Sequence, residues 1–216
     1  IRRHVTFGWP IAVTFISANF STRVSMLIFS QMSIAAFAAM TLIMPWVMIA
    51  GTIGMQWAQA TGIIVAQLLG QKRDESTLDK FLSASWQVGF VAAALVAAVY
   101  GILCLLPDVI YPQLGSDTRA YLASFALVLL VLPFPKQSNA ICGNTLRASG
   151  DTIYVMHIFV CSQWLFRVPA TAIAVLIFDV HPAWVLSLMF WEELLKFPLF
   201  HRRLWRGNWK RSDVAA

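Results

Sequence analysis

Six stretches of this 216-residue chain are each apolar over about the length that a lipid bilayer requires. The hydrocarbon core of a bilayer is about 30 Å thick, and a helix needs roughly 20 residues to cross it. Backbone amides and carbonyls have no water partners in that core, so such a stretch must be helical. The sequence therefore predicts an all-α, polytopic membrane protein with six transmembrane helices. We place these helices at about residues 8–31, 34–69, 79–106, 118–147, 152–178 and 183–204.

The composition agrees with lipid as the solvent and argues against several classes of function. Hydrophobic residues make up 59% of the chain and charged residues only 12%, about half of the share in a soluble domain. The motifs GxSxG, HExxH, GxGxxG and the P-loop do not occur, and the cysteines lack metal-ligand spacing. We therefore expect no enzyme activity, no cofactor and no metal centre. The net charge of +6 does not indicate nucleic acid, because the basic residues follow a membrane topology.

The basic residues between the predicted helices are divided unequally between the two sides of the membrane. An even number of helices places both termini on one side, and only Arg119 lies on the other. Cytoplasmic segments carry an excess of Lys and Arg, so both termini are predicted to be cytoplasmic. Residues 1–204 then form a transmembrane lobe, and residues 205–216 form a basic cytoplasmic tail. The eleven basic residues on the side of the termini are Arg2, Arg3, Lys72, Arg73, Lys80, Arg147, Arg202, Arg203, Arg206, Lys210 and Arg211.

The first predicted helix is unusually polar. Ser17, Ser21 and Ser25 recur every four residues and share one face, and Asn19 and Arg23 lie four apart on an adjoining face. Small polar residues allow helices to approach closely, which favours a seam between two helices. Polar groups at membrane depth also line aqueous cavities. The sequence leaves both interpretations open.

The fourth predicted helix contains two prolines next to a lysine. Pro133 and Pro135 each remove an amide donor and clash with the preceding turn, so we predict a bend there. Transporters use such broken helices to expose backbone dipoles to a substrate or an ion. Lys136 and Asn139 follow the prolines and favour this functional interpretation over a bend that serves packing alone.

Charged residues also occur within the fifth and sixth predicted helices. Gln163 and Arg167 share one face, where a buried arginine can bond free carbonyls or a second helix, and we favour this structural role. Glu192 and Lys196 form an i,i+4 pair in the favourable orientation. Glu193 has no such partner, so we predict that it is the carboxylate with a role in ion movement.

These observations define a candidate pathway for a substrate and an ion. Ionisable groups at membrane depth are costly, and they commonly face a cavity or the interior of a helix bundle. We expect no catalytic role for any of them. The predicted pathway residues are Ser17, Asn19, Arg23, Lys136, Asn139 and Glu193, with Pro133 and Pro135 at the break in the fourth helix.

Five short motifs resemble those of one transporter family. Residues 64–71 resemble its "LVGQ.LG" stretch, and residues 145–152 resemble its "LRGAGDT" motif. Residues 162–169 are similar to its "SQWLxRLP" stretch, and residues 206–210 are similar to its closing "sGkW" segment. Residues 8–12 are similar to the "GLPxA" that opens its seventh helix. Taken in chain order, from residues 8–12 to residues 206–210, the five motifs resemble the multidrug and toxic compound extrusion (MATE) family over nearly the whole chain.

The resemblance implies that this chain is one lobe of a larger transporter. Members of that family are twelve-helix antiporters of two six-helix lobes, and this chain resembles the C-terminal lobe. The implied function is export of amphipathic organic compounds across the inner (plasma) membrane, coupled to a cation. Its expected partners are the N-terminal lobe, membrane lipids and a small organic substrate. Because the chain begins without Met, we expect it to be part of a longer protein.

Two alternatives to drug export stay open, and one departure from the family affects the coupling ion. The same superfamily includes flippases for lipid-linked glycans, and a non-transporting structural subunit is the other alternative. Sodium-coupled members that resemble this chain carry carboxylates in the seventh and tenth helices. Here those places fall near Thr14 or Ala18 and at about Lys136, and none of these is acidic. The resemblance therefore implies coupling to protons rather than to sodium.

Overall fold

The computed structural model describes residues 2–211, apart from the side chains of residues 2–4, 6, 7 and 211. The part of the chain that it describes is almost entirely helical and contains no β-strand, which confirms the predicted all-α class. The helices are α1 Arg2–Phe29, α2 Ile34–Gly70, α3 Glu75–Leu105, the short α4 Pro107–Ile110, α5 Ser116–Val131, α6 Pro133–Ala148, α7 Thr152–Ile177 and α8 Pro182–Trp205. A 3₁₀ turn, Asn208–Arg211, follows α8.

The six long segments differ in how strongly their composition marks them as membrane spans. Among the described residues, α1, α2, α3 and α7 are each long and apolar enough to cross a bilayer, and α5 with α6 qualifies as a bent pair. Helix α8 does not stand out by hydropathy, because Glu192, Glu193 and Lys196 lie in its middle. Its 24 residues correspond to about 36 Å of helix, which is still long enough to span the hydrocarbon core.

Short polar connections set several helix boundaries. The side chain of Ser33 caps α2 by accepting a hydrogen bond from the Ala36 amide at 3.3 Å. Asp74 caps α3 by accepting bonds from the Thr77 hydroxyl at 2.6 Å and the Thr77 amide at 3.1 Å. The bond from that hydroxyl is the main reason that the pKa of Asp74 is lowered to about 2. Gly150 turns the chain between α6 and α7 with a φ of 94°, a conformation that favours glycine.

The C-terminal segment packs against the lobe as far as the structure describes it. Trp209 is buried, and its indole N–H donates to the Leu204 carbonyl at 3.0 Å. Lys210 pairs with Asp79 of α3 at 2.7 Å. The predicted basic tail is thus docked onto the lobe by its first residues, and residues 212–216 lie outside the described part of the chain.

The bend predicted at the two prolines is present in the structure. Helices α5 and α6 meet at an angle of 41°. Pro133 and Pro135 cannot donate to the carbonyls of Leu129 and Val131, so the helical hydrogen-bond ladder is interrupted there. The bend turns α6 into the interior of the lobe, where residues 137–143 are all buried.

Close packing between α2 and α6 depends on glycines of α2. A Cβ atom at Gly62 would lie 3.0 Å from the backbone oxygen of Asn144, closer than almost all Cβ contacts. The Gly54 carbonyl accepts a hydrogen bond from Gln137 Nε2 at 3.1 Å, and a side chain at Gly54 would collide with that amide. Small residues let membrane helices approach to backbone contact, where packing rather than water drives association. Helix α6 therefore lies deep in the lobe against the backbone of α2.

Two clusters of buried apolar side chains lie on either side of a polar layer. The first includes Met40 and Phe125, and the second includes Leu146 and Phe200. Between the clusters, the middle turns of α6, α7 and α8 carry amide, hydroxyl and charged side chains that are mostly buried. The polar layer therefore lies near the middle of the helices, the depth at which unpaired charges are most costly in a membrane.

Candidate transport cavity and buried charge network

Four charged side chains from α7 and α8 meet in the polar layer. Lys196 Nζ lies 2.8 Å from Glu193 Oε1 and 3.3 Å from Glu192 Oε1. Arg167 Nη1 lies 3.3 Å from Glu192 Oε2. Glu192 is 3% exposed and Lys196 is 2% exposed. Two carboxylates and two cations therefore balance one another, and we call these four residues the charge network.

The prediction that Glu193 lacks a local partner is wrong. Lys196 is closer to Glu193 than to Glu192, because residues three apart on a helix are neighbours as well as residues four apart. Asn139 Nδ2 also donates to Glu193, at 2.9 Å to Oε2 and at 2.7 Å to the backbone oxygen. Glu192 has a further partner in Ser162, whose hydroxyl donates to Oε1 at 3.0 Å.

Asn139 has an unused acceptor beside Glu193. Its side chain is 1% exposed, and its Oδ1 atom accepts no hydrogen bond within the described part of the chain. An unpaired buried polar atom costs about 1–3 kcal/mol, so such atoms are uncommon. A carboxylate has no donor to offer this atom, whereas a protonated carboxyl has one O–H donor. The Asn139 amide therefore keeps one unpaired acceptor while its Nδ2 atom bonds the carboxylate of Glu193.

Hydroxyl groups hold α1 against α7. Ser17 Oγ donates to Gln163 Oε1 at 2.8 Å and accepts from Trp164 Nε1 at 2.9 Å. Arg167 Nη2 donates to Ser21 Oγ at 2.5 Å. Of the two interpretations of the polar first helix, the helix seam therefore accounts for Ser17 and Ser21. Arg167 bonds α1 and α8 together, in agreement with the structural role that its place in the sequence favours.

The backbone of α7 widens where it supplies these side chains. Two π-helical turns, Ser162–Arg167 and Ile173–Ile177, flank the α-helical segment Val168–Ala172. Pro169 has no amide to bond the Leu165 carbonyl, which weakens the α-helical pattern at this point. Turns of π-helix inside α-helices are rare, and those that occur are often found at functional sites. The apolar pattern of this segment predicts a regular helix, and Pro169 is the residue that indicates an irregular one.

A cavity of about 500 Å³ lies beside the charge network and is open on one side. Side chains of α1, α2, α6, α7 and α8 line it. Five of the eight methionines of the chain face this cavity, namely Met26, Met44, Met48, Met55 and Met189. Methionine is flexible and polarisable, so a surface rich in it adapts to ligands of different shapes. The volume is within the range of about 300–1,000 Å³ that is common for small-molecule sites.

The charged part of the described cavity lining is cationic. Lys136 and Arg167 line the cavity, and no described carboxylate does. Arg167 is already bonded to Glu192 and Ser21. The side chain of Lys136 makes no hydrogen bond or ion pair within the described residues, and its Nζ atom lies close to the backbone of Gly51. The cavity therefore presents one unpaired ammonium group.

The predicted pathway residues are found at three places. Asn19 and Lys136 line the cavity. Asn139 and Glu193 contact each other at the charge network, on the side of α6 that faces α8. Ser17 lies in the seam between α1 and α7. The structure thus brings these residues into one region without making them a single site.

Arg23 is the predicted pathway residue that lies at none of these three places. Its side chain is exposed, and it is absent from the described lining to which Asn19 and Thr22 contribute. Each step along an α-helix rotates the side chain by about 100°, so the residue after Thr22 points away from the cavity. Spacing from Asn19 alone could not distinguish the lining face from its flank.

Sequence reasoning missed the methionines of the cavity. Met44, Met48 and Met55 recur at spacings of four and seven, which places them on one face of α2. The same spacing is typical of a helix face that is buried in a core. Only the arrangement of the neighbouring helices shows that this face borders a cavity.

Membrane-length helices, a broken interior helix and an open amphipathic cavity together define a class of protein. Transporters place discontinuous helices and substrate sites near the middle of the bilayer. Within the described residues, no three His, Cys, Asp or Glu side chains converge on a position that could hold a metal ion. The fold and the site are those of a lobe of a polytopic membrane transporter.

Comparisons with known proteins give the family. The MatE family model matches residues 10–173, which is more than half of the chain, and the chain belongs to this family. It is 23% identical over 229 residues to the uncharacterized transporter YisQ of Bacillus subtilis (strain 168). That alignment covers 100% of this chain and 47% of YisQ. The resemblance stated from the motifs is thereby confirmed, and it indicates a transporter rather than an enzyme.

Two solved structures share the fold. One is an outward-facing multidrug resistance MATE family transporter of the MOP superfamily, and the other is a MOP superfamily transporter from Pyrococcus furiosus. Each matches with a TM-score of 0.65 and 19% sequence identity over 92% of this chain. The matches cover 45% and 44% of those chains. The chain thus spans about half the length of the relatives that it matches.

Proposed function

We propose that this chain is the C-terminal half of a proton-coupled antiporter that exports amphipathic organic compounds across the cytoplasmic membrane. The observation that carries the proposal is the open cavity of about 500 Å³, lined by methionines and a few polar groups. A second six-helix lobe packed over the open side would enclose the cavity. Rocking of the two lobes would then expose the cavity to each side of the membrane in turn. The second lobe, membrane lipids and a small organic substrate are the partners in this proposal.

Glu193 is the residue through which we propose that protons couple to transport. Its carboxylate contacts Lys196 at 2.8 Å and Asn139 at 2.9 Å. Protonation would remove the negative charge that Lys196 contacts and would place an O–H donor beside the Asn139 amide, which has an unpaired acceptor. A single proton would therefore change the charge balance of α8 and the hydrogen bonding of α6 together. The same helix α6 carries Lys136 into the cavity.

Sodium suits the described residues of this lobe less well than a proton does. Hard cations bind oxygen ligands, among which carboxylates are favoured. Glu192 and Glu193 already contact cationic side chains of the charge network. No described carboxylate lines the cavity, and the ammonium of Lys136 repels a cation there.

Transport by the complete protein in proteoliposomes tests this function. We expect a pH gradient imposed alone to drive movement of an amphipathic fluorescent dye, and a sodium gradient imposed alone to drive none. Transport driven by sodium at zero pH gradient would contradict proton coupling. Absence of transport under every gradient by a correctly inserted protein would contradict the transporter function and favour a non-transporting subunit.

The proposed orientation has both termini in the cytoplasm, because eleven basic residues of the loops and ends lie on their side and one on the other. We expect alkaline phosphatase, which is active only in the periplasm, to be inactive when fused after Ala216. The same enzyme fused after Gly115, in the connection between α4 and α5, should be active. The opposite pair of results would show that the orientation is reversed.

A further inference from the structure

Lys136 lies in the polar layer and lines the cavity, and its side chain makes no ion pair within the described lobe. In the charge network, both carboxylates are in direct contact with Arg167 or Lys196, and neither forms an ion pair with Lys136. Arg167, the other cation of the cavity lining, belongs to that network. A lone ammonium group at membrane depth is costly, and water in an open cavity reduces only part of that cost. A bound anion would reduce it further.

Apolar surface adjoins this ammonium on both sides. Lys136 Nζ lies against Gly51 of α2, and Met48 and Met55 lie three residues before and four residues after that glycine. Residues at these spacings share one helix face, so the two methionines flank the ammonium group. Thr52 adds a hydroxyl group to the same lining. The arrangement fits a negative headgroup joined directly to an apolar body.

We infer that the cavity takes an amphipathic organic anion, whose headgroup binds the Lys136 ammonium and whose apolar body contacts the methionines. This inference rests on the proposed transport function and specifies its substrate class. An amphipathic cation would meet the like charge of Lys136 and no described carboxylate in the lining. A free carboxylate or sulfonate and the headgroup of an anionic lipid share the required chemistry.

Two xanthene dyes test the charge of the ligand at nearly constant shape. Fluorescein is an anion at mildly alkaline pH, whereas a rhodamine ester with the same three-ring body is a cation. Binding of each dye to the complete protein in nanodiscs is measured by fluorescence anisotropy. The unaltered protein is expected to bind fluorescein more tightly than the rhodamine ester.

Substitutions of Lys136 test whether its charge is responsible for the preference for the anionic dye. Lys136→Met keeps the length of the side chain without its charge, and it should weaken fluorescein binding by about tenfold or more. Lys136→Arg should retain most of the affinity because it retains the charge. Lys80→Met is the matched control, since it removes an exposed positive charge of α3 outside the described lining. It should leave the binding of both dyes unchanged.

Two results would overturn the inferred ligand class: tighter binding of the rhodamine ester by the unaltered protein, or fluorescein binding that Lys136→Met does not weaken. The comparison of the two dyes on the unaltered protein depends on no variant. If Lys136→Met fails to fold, Lys136→Gln provides a second neutral variant with a polar end. Retained fluorescein affinity in that variant would also overturn the inference.

Transport measurements separate the two sources of anion and separate the inference from the proposed function. Lys136-dependent movement of a fluorescent phosphatidylglycerol between leaflets would assign an anionic lipid, and movement of fluorescein alone would assign a free solute. A protein that binds fluorescein through Lys136 but transports nothing supports the inferred site and contradicts the transport function. A protein that transports the rhodamine ester but does not bind fluorescein contradicts the inference and leaves the transport function standing.

Discussion

Replacement of Lys196 by methionine is expected to destabilise the protein by about 3–5 kcal/mol. Lys196 is 2% exposed and contacts Glu193 at 2.8 Å and Glu192 at 3.3 Å. Without it, Glu192 keeps Arg167, but Glu193 keeps only the neutral amide of Asn139 as a partner. One carboxylate is then buried without an ion-pair partner. The measurement is the temperature at which half of the purified protein loses its monodisperse state, with an expected fall on the order of 10 °C.

Two controls identify the cause of that loss. Lys80→Met makes the same change at an exposed position of α3 and should alter stability by less than about 0.5 kcal/mol. Lys196→Met combined with Glu193→Gln removes the cation together with the carboxylate that it leaves unpaired. This double variant is expected to recover most of the lost stability. A double variant no more stable than Lys196→Met would show that packing of the lysine side chain, rather than its charge, is responsible.

Glu193→Gln is expected to reduce pH-gradient-driven transport to the rate of liposomes without protein. Glutamine has nearly the shape of glutamate, but its side-chain amide cannot bind and release a proton as a carboxyl group does. Its amide can donate to Asn139 Oδ1, so the variant should resemble the protonated state permanently. Lys196 keeps Glu192 as a partner, which makes loss of folding an unexpected result. The measurement is dye transport in proteoliposomes, with fluorescein binding as the check that the cavity is intact.

Glu192→Gln is the matched control for this prediction. It makes the same change one residue earlier and leaves the contact between Glu193 and Asn139 in place. We expect this variant to keep pH-driven transport, although the loss of a partner for Arg167 should lower its stability. Transport at the unaltered rate by Glu193→Gln would contradict the proposed proton route through this lobe.

Features that depend on residues close together in the chain could be predicted from the sequence. The bend between α5 and α6 follows from Pro133 and Pro135, since a missing amide acts on the turn in which it lies. The contact between Glu193 and Lys196 could also be predicted, because the two residues lie three apart on one helix. The prediction considered only the spacing of four and therefore assigned Lys196 to Glu192 alone.

Contacts between distant parts of the chain could not be predicted from the sequence. Arg167 of α7 bonds Ser21 of α1 and Glu192 of α8, and no local pattern connects these three residues. The π-helical turns of α7 shift the register of its side chains, so a regular helix drawn through Arg167 would misplace them. The cavity itself exists only where five helices meet.

The sequence by itself determined that this protein is a bundle of helices in lipid, because runs of about 20 apolar residues leave the helix as the structure that pairs every backbone group. Only the tertiary structure decided what the polar residues of those helices do. Lys136 and Asn139 are three residues apart on α6, yet Lys136 lines the cavity without a partner and Asn139 bonds Glu193. The reason is packing: α6 lies against the glycines of α2 and against α8, and that placement gives each of its faces a different neighbour.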